Sequence, residues 1–144
     1  MTRITVIFLF LVASLLSACK STAISTPAVD VVGQQVSIAG GSYTDVSVDE
    51  LQSMLANKDF TFVNVHIPFE GDIAGTDLSI AYDEIEQNLD QLPAEKDAKI
   101  VLYCRSDRMS RMAAETLVGL GYTNLWNLDG GMVAWEKAGQ PLER

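Results

Sequence analysis

The stretch Lys99-Ile100-Val101-Leu102-Tyr103 constrains the fold of this chain more than any other. After its leading Lys it has no polar alternation, and a strand of that kind is covered on both faces, the environment of a parallel sheet lying between helices. Cys104 ends the run. Met109 to Leu120 then takes up helical spacing through Met112, Ala113, Thr116, Leu117 and Leu120, with Gly119 and Gly121 as stops. A buried strand that passes through a short turn into an amphipathic helix is half of a crossover unit. Its turn lies at the carboxyl edge of the sheet, where open α/β folds place their ligands.

The same alternation runs along the rest of the chain. Tyr43-Thr44-Asp45-Val46 is expected to form a short strand. Ser47 follows as a helix N-cap with Glu50 three residues on, a capping box, and Val48, Leu51, Met54 and Leu55 mark the buried stripe. Phe60 to Val65 reads as a second strand, and His66 to Asp77 as a long connection punctuated by Pro68, Gly71 and Gly75. Ser79 to Leu92 carries a weaker helical pattern ended by Pro93; Asn124 to Leu128 is a last strand and Gly131 to Lys137 a last helix. Together these predict one α/β domain over residues 43–144, built on a parallel sheet with helices on both faces. Trp126 and Trp135 are expected in its core, and Gly130-Gly131 are expected to allow close chain approach before the last helix.

Ahead of that domain, Met1-Thr2-Arg3 supplies a short basic region and Ile4 to Leu16 an uncharged, largely apolar run, too short to span a bilayer that needs ~20 residues. The exit Leu16-Ser17-Ala18-Cys19 resembles the bacterial lipobox, in which the Cys is acylated and becomes the first mature residue. Residues 1–18 are accordingly expected to be a lipoprotein signal peptide, and residues 19–42, from the lipidated Cys19, a tether. The resemblance implies an extracytoplasmic protein held to the membrane by its lipid. Lys20 stands where an Asp would favour inner-membrane retention, so in a Gram-negative cell it implies the outer membrane, facing the periplasm. A formal net charge of −9 argues against a nucleic-acid partner.

With Cys19 lipidated, Cys104 is a lone thiol in an oxidising compartment and needs an explanation other than a disulfide. Cys104-Arg105-Ser106-Asp107-Arg108-Met109 can curl so that backbone N–H groups and a helix N-terminus converge on the sulfur and hold negative charge there, with Arg105 and Arg108 adding positive charge. A Cys-dependent phosphatase would need an Arg after five intervening residues to wrap a phosphoryl group. Position 110 is Ser and Arg111 falls one residue late. One His and one remaining Cys fall short of a metal site, and no cofactor is implied.

The segment Tyr103 to Ser110, then Ala113-Ala114, Leu117, Gly121-Tyr122, Asn124, Leu128, Gly130-Gly131, Ala134-Trp135 and Gly139, resembles the rhodanese domain. That resemblance implies a five-stranded parallel sheet. It also implies a sulfurtransferase in which Cys104 takes a sulfane sulfur from thiosulfate or a persulfide donor and passes it to cyanide or a thiol acceptor. Arg105 and Arg108 would hold the anion, and the amides of Arg105, Ser106, Asp107, Arg108 and Met109 would form the cradle.

The amino half departs from the family pattern. Asn64-Val65-His66 stands where the family often reads Asp-x-Arg, and Gly71-Asp72-Ile73-Ala74-Gly75-Thr76 where it reads Gly-His-Ile-Pro-Gly-Ala; Glu70 matches the acidic residue before that Gly. His66 is expected to make a local hydrogen bond at the strand end, with accessory acid–base work as the alternative and part of the missing Arg's bracing role also open to it. Asp107, where many relatives have Gly, is expected to tolerate a left-handed conformation and to be able to cap the next helix. Its charge is expected to oppose a doubly charged donor. These departures keep a second function open: a sulfur-binding or protein-interaction module with little or no turnover.

Overall fold

The computed structural model describes residues 30–144. Six strands form one sheet in the order β1-β2-β6-β5-β3-β4. They are β1 (Gln34–Ile38), β2 (Gly41–Val46), β3 (Thr61–Asn64), β4 (Leu78–Ser79), β5 (Ile100–Tyr103) and β6 (Leu125–Leu128). All neighbours pair in parallel except β1, which runs antiparallel to β2. Three helices, α1 (Val48–Ala56), α2 (Arg108–Gly119) and α3 (Gly131–Lys137), cover the two faces with a 3₁₀ segment, Ile85–Gln91.

Period-two alternation in the strands divides the core. On one face Ile100 and Leu102 pack with Val63, Leu125 and the α2 residues Ala113, Ala114 and Leu117. On the other, Val101 and Tyr103 pack with Phe62, Leu128, Leu51 and Met54 of α1, and Met132 and Trp135 of α3. All four residues of β5 are fully buried. The capping box is present: Ser47 Oγ accepts from Glu50 N at 3.3 Å while Glu50 Oε2 accepts from Ser47 N at 2.9 Å.

The sheet exceeds the expected five parallel strands by one antiparallel strand, and the fold starts earlier than Tyr43. β1 lies inside the stretch 19–42 expected to be a tether. It turns into β2 through Ala39-Gly40, with Val36 and Ile38 packed against the core and Gln35 and Ser37 outward. Only Val36-Ser37-Ile38 alternates in this half-exposed edge strand, too short a run to mark it in the sequence; its pairing partner identifies it. The helix expected over Ser79–Leu92 is also corrected: its start is the two-residue β4, and its end is the 3₁₀ segment, kinked at Asn88. Residues 1–18 and Cys19 lie outside the described residues.

Candidate active site

Cys104 leaves β5 near the middle of the sheet and is buried, 2% exposed. The last helix shapes its loop. Met132 N donates to the Cys104 carbonyl at 2.9 Å and Val133 N to that of Arg105 at 3.0 Å. Across planar trans peptides, the N–H groups of Arg105 and Ser106 therefore point away from α3. This approach requires Gly131, where a Cβ would stand 2.3 Å from the Cys104 oxygen and where φ is +55°. The expected close approach of the Gly130-Gly131 turn is thus present at Gly131.

Asp107 has φ 77° and ψ −42°: the positive φ agrees with the expected left-handed backbone, but the residue lies outside the αL well itself. Its side chain neither caps α2 nor lines the cavity at Cys104. Oδ1 instead accepts from Gly130 N at 2.8 Å and faces Asn127 Nδ2 at 3.4 Å. The expectation that this charge sits among the anion-holding groups is therefore corrected, because the turn before α3 draws the carboxylate away. Asn127 Nδ2 also donates to Asp45 Oδ1 at 2.7 Å, and Arg111 joins Asp45 and Asp129 at 3.3 and 3.2 Å. Burial pushes the Asp45 carboxyl up from its ordinary value, with the Asn127 hydrogen bond and Arg111 opposing. Arg111 is thereby committed to a brace between β2, α2 and the β6–α3 turn.

His66, Cys104, Arg105, Ser106, Arg108 and Met109 line a cavity of about 180 Å³, room for a small anion. A larger groove of about 260 Å³, between the 3₁₀ segment and α2, is lined by no cysteine. Met109 both lines the cavity and packs on the core. Arg108, exposed at the N-terminus of α2, has no carboxylate partner among the described residues. Arg105 ion-pairs with Glu70 through Nη1 and Oε2. His66 Nε2 is 3.7 Å from the other Glu70 oxygen, and its side chain is 6% exposed. Both ring nitrogens of His66 are buried without a hydrogen-bond partner. The expected local hydrogen bond of this residue is made by its backbone N–H, to Asn64 Oδ1 at 3.0 Å, and not by its ring.

Asn64 and Tyr103, rather than His66, brace the amino half. Asn64 Nδ2 donates to the Gly71 carbonyl at 3.1 Å and to Asp72 Oδ1 at 2.9 Å. The Tyr103 hydroxyl accepts from Ile73 N at 3.0 Å and lies 2.7 Å from Thr76 Oγ1 and 3.1 Å from Asp72 Oδ1. Burial raises the Tyr103 phenol well above its ordinary value, so it acts as a neutral hydroxyl.

Ser110 was not among the expected site residues. Fully buried, it places Oγ 3.4 Å from Cys104 Sγ and 3.0 Å from the Asp107 carbonyl. Its single proton can serve either acceptor. The signal that could have found it is register: the first turn of α2 turns position 110 back toward the strand end.

The arrangement offers one thiol, a small cavity beside it and two guanidinium groups on the cavity wall, which is the equipment of a thiol-based group-transfer domain. The family model for the Rhodanese-like domain matches residues 47–138, and the chain belongs to that family. Among its curated relatives, a sulfurtransferase of Allochromatium vinosum is 31% identical over 102 residues, covering 68% of this chain and 92% of the relative. The thiosulfate sulfurtransferase GlpE of Vibrio cholerae is 28% identical, covering 70% and 95% respectively. Two solved structures share the fold. A rhodanese-related protein from Thermoplasma volcanium has a TM-score of 0.57 at 29% identity, over 68% of this chain and 95% of that one. A rhodanese-like domain protein from Staphylococcus aureus has a TM-score of 0.58 at 28% identity, over 69% and 98%.

Proposed function

We propose that this chain is a sulfurtransferase acting by double displacement on Cys104. The observation that carries the reading is the placement of Cys104 at a cavity walled by Arg105, Ser106, Arg108 and Met109. In the first half, the Cys104 sulfur as thiolate attacks the sulfane sulfur of thiosulfate; that S–S bond breaks and sulfite leaves with the electron pair. With a persulfide donor, the leaving group is the donor's thiolate. In the second half, cyanide or a thiolate attacks the outer sulfur of the Cys104 persulfide, leaves as thiocyanate or a new persulfide, and returns Cys104 to its starting form. His66, buried with both ring nitrogens unpartnered at the cavity wall, is the group placed to take the proton of an incoming thiol. The lipobox-like exit supports placing this activity outside the cytoplasm on a lipid anchor at Cys19.

Mass spectrometry of the purified protein after exposure to thiosulfate tests the reading. One added sulfur on Cys104, discharged rapidly by cyanide, is the expected result; Cys104→Ser should keep the fold and gain none. Transfer by the Ser variant above a tenth of wild type would sink the mechanism. One observation favours the slower alternative of a sulfur-binding module: Glu70 partly neutralises Arg105, one of the cavity's two guanidinium groups. In that case Cys104 would load slowly from an anionic donor and turn over poorly.

A further inference from the structure

The fold gathers its exposed apolar surface on one edge. Among the described residues six large hydrophobic side chains stand exposed: Val31, Val32, Ile67, Phe69, Met112 and Val133. Five lie at the carboxyl edge of the sheet, around Cys104. Ile67 and Phe69 belong to the connection that leaves β3 past His66, beside the Glu70 that holds Arg105. Phe69 is 60% exposed. Val133 is in the first turn of α3, its N–H on the Arg105 carbonyl. Met112 lies about one turn further along α2.

Val31 and Val32 precede β1, and the chain enters the fold at this same edge. Gln34 pairs with Asp45 near the carboxyl end of β2, because β1 runs antiparallel. The N–H groups of Val32 and Gly33 donate to Glu50 Oε1 at 3.0 and 2.8 Å, in the first turn of α1. β2 is two places from β5 in the sheet. β1 lies one place further out, so at ~4.8 Å per strand spacing the entry point is displaced laterally by about 14 Å from the strand that delivers Cys104.

We infer that this edge is an interfacial face that rests on the surface of a lipid bilayer, so that the Cys104 sulfur is presented to acceptors at that surface. The inference rests on the reading of Cys19 as the lipidated residue. Gly33 comes 14 positions after Cys19, and a link of that length reaches at most about 50 Å. A domain of this size is roughly 35 Å across. A tether of that reach is longer than the domain, so it brings this edge within reach of the membrane without fixing the orientation, which is set by the exposed apolar side chains at the edge. The apolar side chains around the cavity then face lipid rather than water. Charge at this edge is mixed: the carboxylates of Glu50, Glu70, Asp107 and Asp129 are engaged by backbone N–H groups or an arginine, whereas Asp30, Asp49 and Arg108 are exposed without an ion-pair partner among the described residues, so the contact suits a zwitterionic rather than an anionic lipid surface.

The test floats the full chain with phosphatidylcholine vesicles containing brominated phosphatidylcholine. A tryptophan is introduced at the edge by Phe69→Trp or, as a control, near the start of β5 at the opposite edge by Glu95→Trp. The added fluorescence over the parent chain should be quenched several-fold more at 69 than at 95. Combining Ile67→Ser and Val133→Ser with the reporter should erase most of that difference without changing the loading of Cys104 by thiosulfate. A chain that floats but shows equal quenching at both positions, or none, overturns the inference and leaves the lipid anchor standing. A chain that does not float overturns the anchor and the inference together.

Discussion

Asp107 holds its backbone at φ 77°, a conformation that costs a residue bearing a Cβ on the order of 1–2 kcal/mol. The hydrogen bond from Gly130 N, at 2.8 Å, offsets this by tying the Cys104 loop to the turn before α3. A charge-assisted bond of this kind is worth about 1.5–3 kcal/mol. Asp107→Asn keeps the acceptor and the left-handed tolerance while removing the charge, so stability and thiosulfate affinity should both change little. Asp107→Ala keeps the strained backbone and loses the acceptor, and should lower stability by about 1–3 kcal/mol in denaturant melts. A marked gain in thiosulfate affinity for the Asn variant, shrinking with added salt, would show that the carboxylate reaches the anion after all. His66 acts on a different half of the cycle. His66→Gln should slow transfer to a thiol acceptor about a hundredfold, the scale of a lost general base, and affect loading from thiosulfate much less, since no proton moves there; equal losses in both halves would assign His66 to packing. Cys104 and its loop were legible in the sequence because the signal is local, a nucleophile between an apolar strand and a helix. The direction of the Asp107 side chain was not, because its partner, Gly130, is 23 residues away and is brought there by β6.

Among the elements, the α1 cap does more than start a helix. Glu50 takes N–H donors from Ser47, Gly33 and Val32 and the Ser47 hydroxyl, and so fastens the entry of β1 to the first turn of α1. The hydrogen bond from the Ser47 backbone leads in holding its carboxyl down from 4.5 to about 2; partial burial opposes, and the Gly33, Ser47 hydroxyl and Val32 bonds reinforce. An acid depressed in the folded state binds fewer protons folded than unfolded between those two values, so its contribution is complete above the unfolded value and is lost as pH falls through the folded one. Protection factors of the β1 amides, corrected for intrinsic exchange, should therefore fall between about pH 4.5 and 2, before those of β5. Glu50→Gln should remove that step and cost about 1 kcal/mol at neutral pH, a capping-scale loss for a partly solvated group. Unchanged β1 protection across that range would deny Glu50 the role of clasp. The capping box could be read from Ser47 and Glu50 alone, as could the strands around Cys104. β1 and β4 could not, because an exposed edge strand and a two-residue strand are defined by what they pair with.

On the scale of the whole molecule, the proposed anchor and the proposed sulfur transfer fall to separate parts of the chain. No helix among the described residues is long and apolar enough to cross a membrane, and a formal net charge of −9 gives the folded part little attraction for anionic lipid headgroups. On the proposed membrane attachment, the anchor would come from the segment ahead of Asp30, where Leu16-Ser17-Ala18-Cys19 resembles an acylation site. Each buried CH₂ of an acyl chain contributes about 0.8 kcal/mol, and one chain alone holds only reversibly, so a firm anchor requires more than one. Cys19→Ala should abolish labelling by palmitate and move the protein from the membrane fraction to the soluble one. Cys104 should load with sulfur from thiosulfate at the wild-type rate, since the folded residues that form its loop begin well after position 19. Apolar side chains at the catalytic edge are too few to substitute for acyl chains; in the proposed arrangement they would set which face meets the bilayer once the anchor had brought it there. Palmitate label persisting in the Ala variant would place the lipid on another residue, and membrane association persisting without label would transfer the anchoring role to the apolar run Ile4 to Leu16 itself.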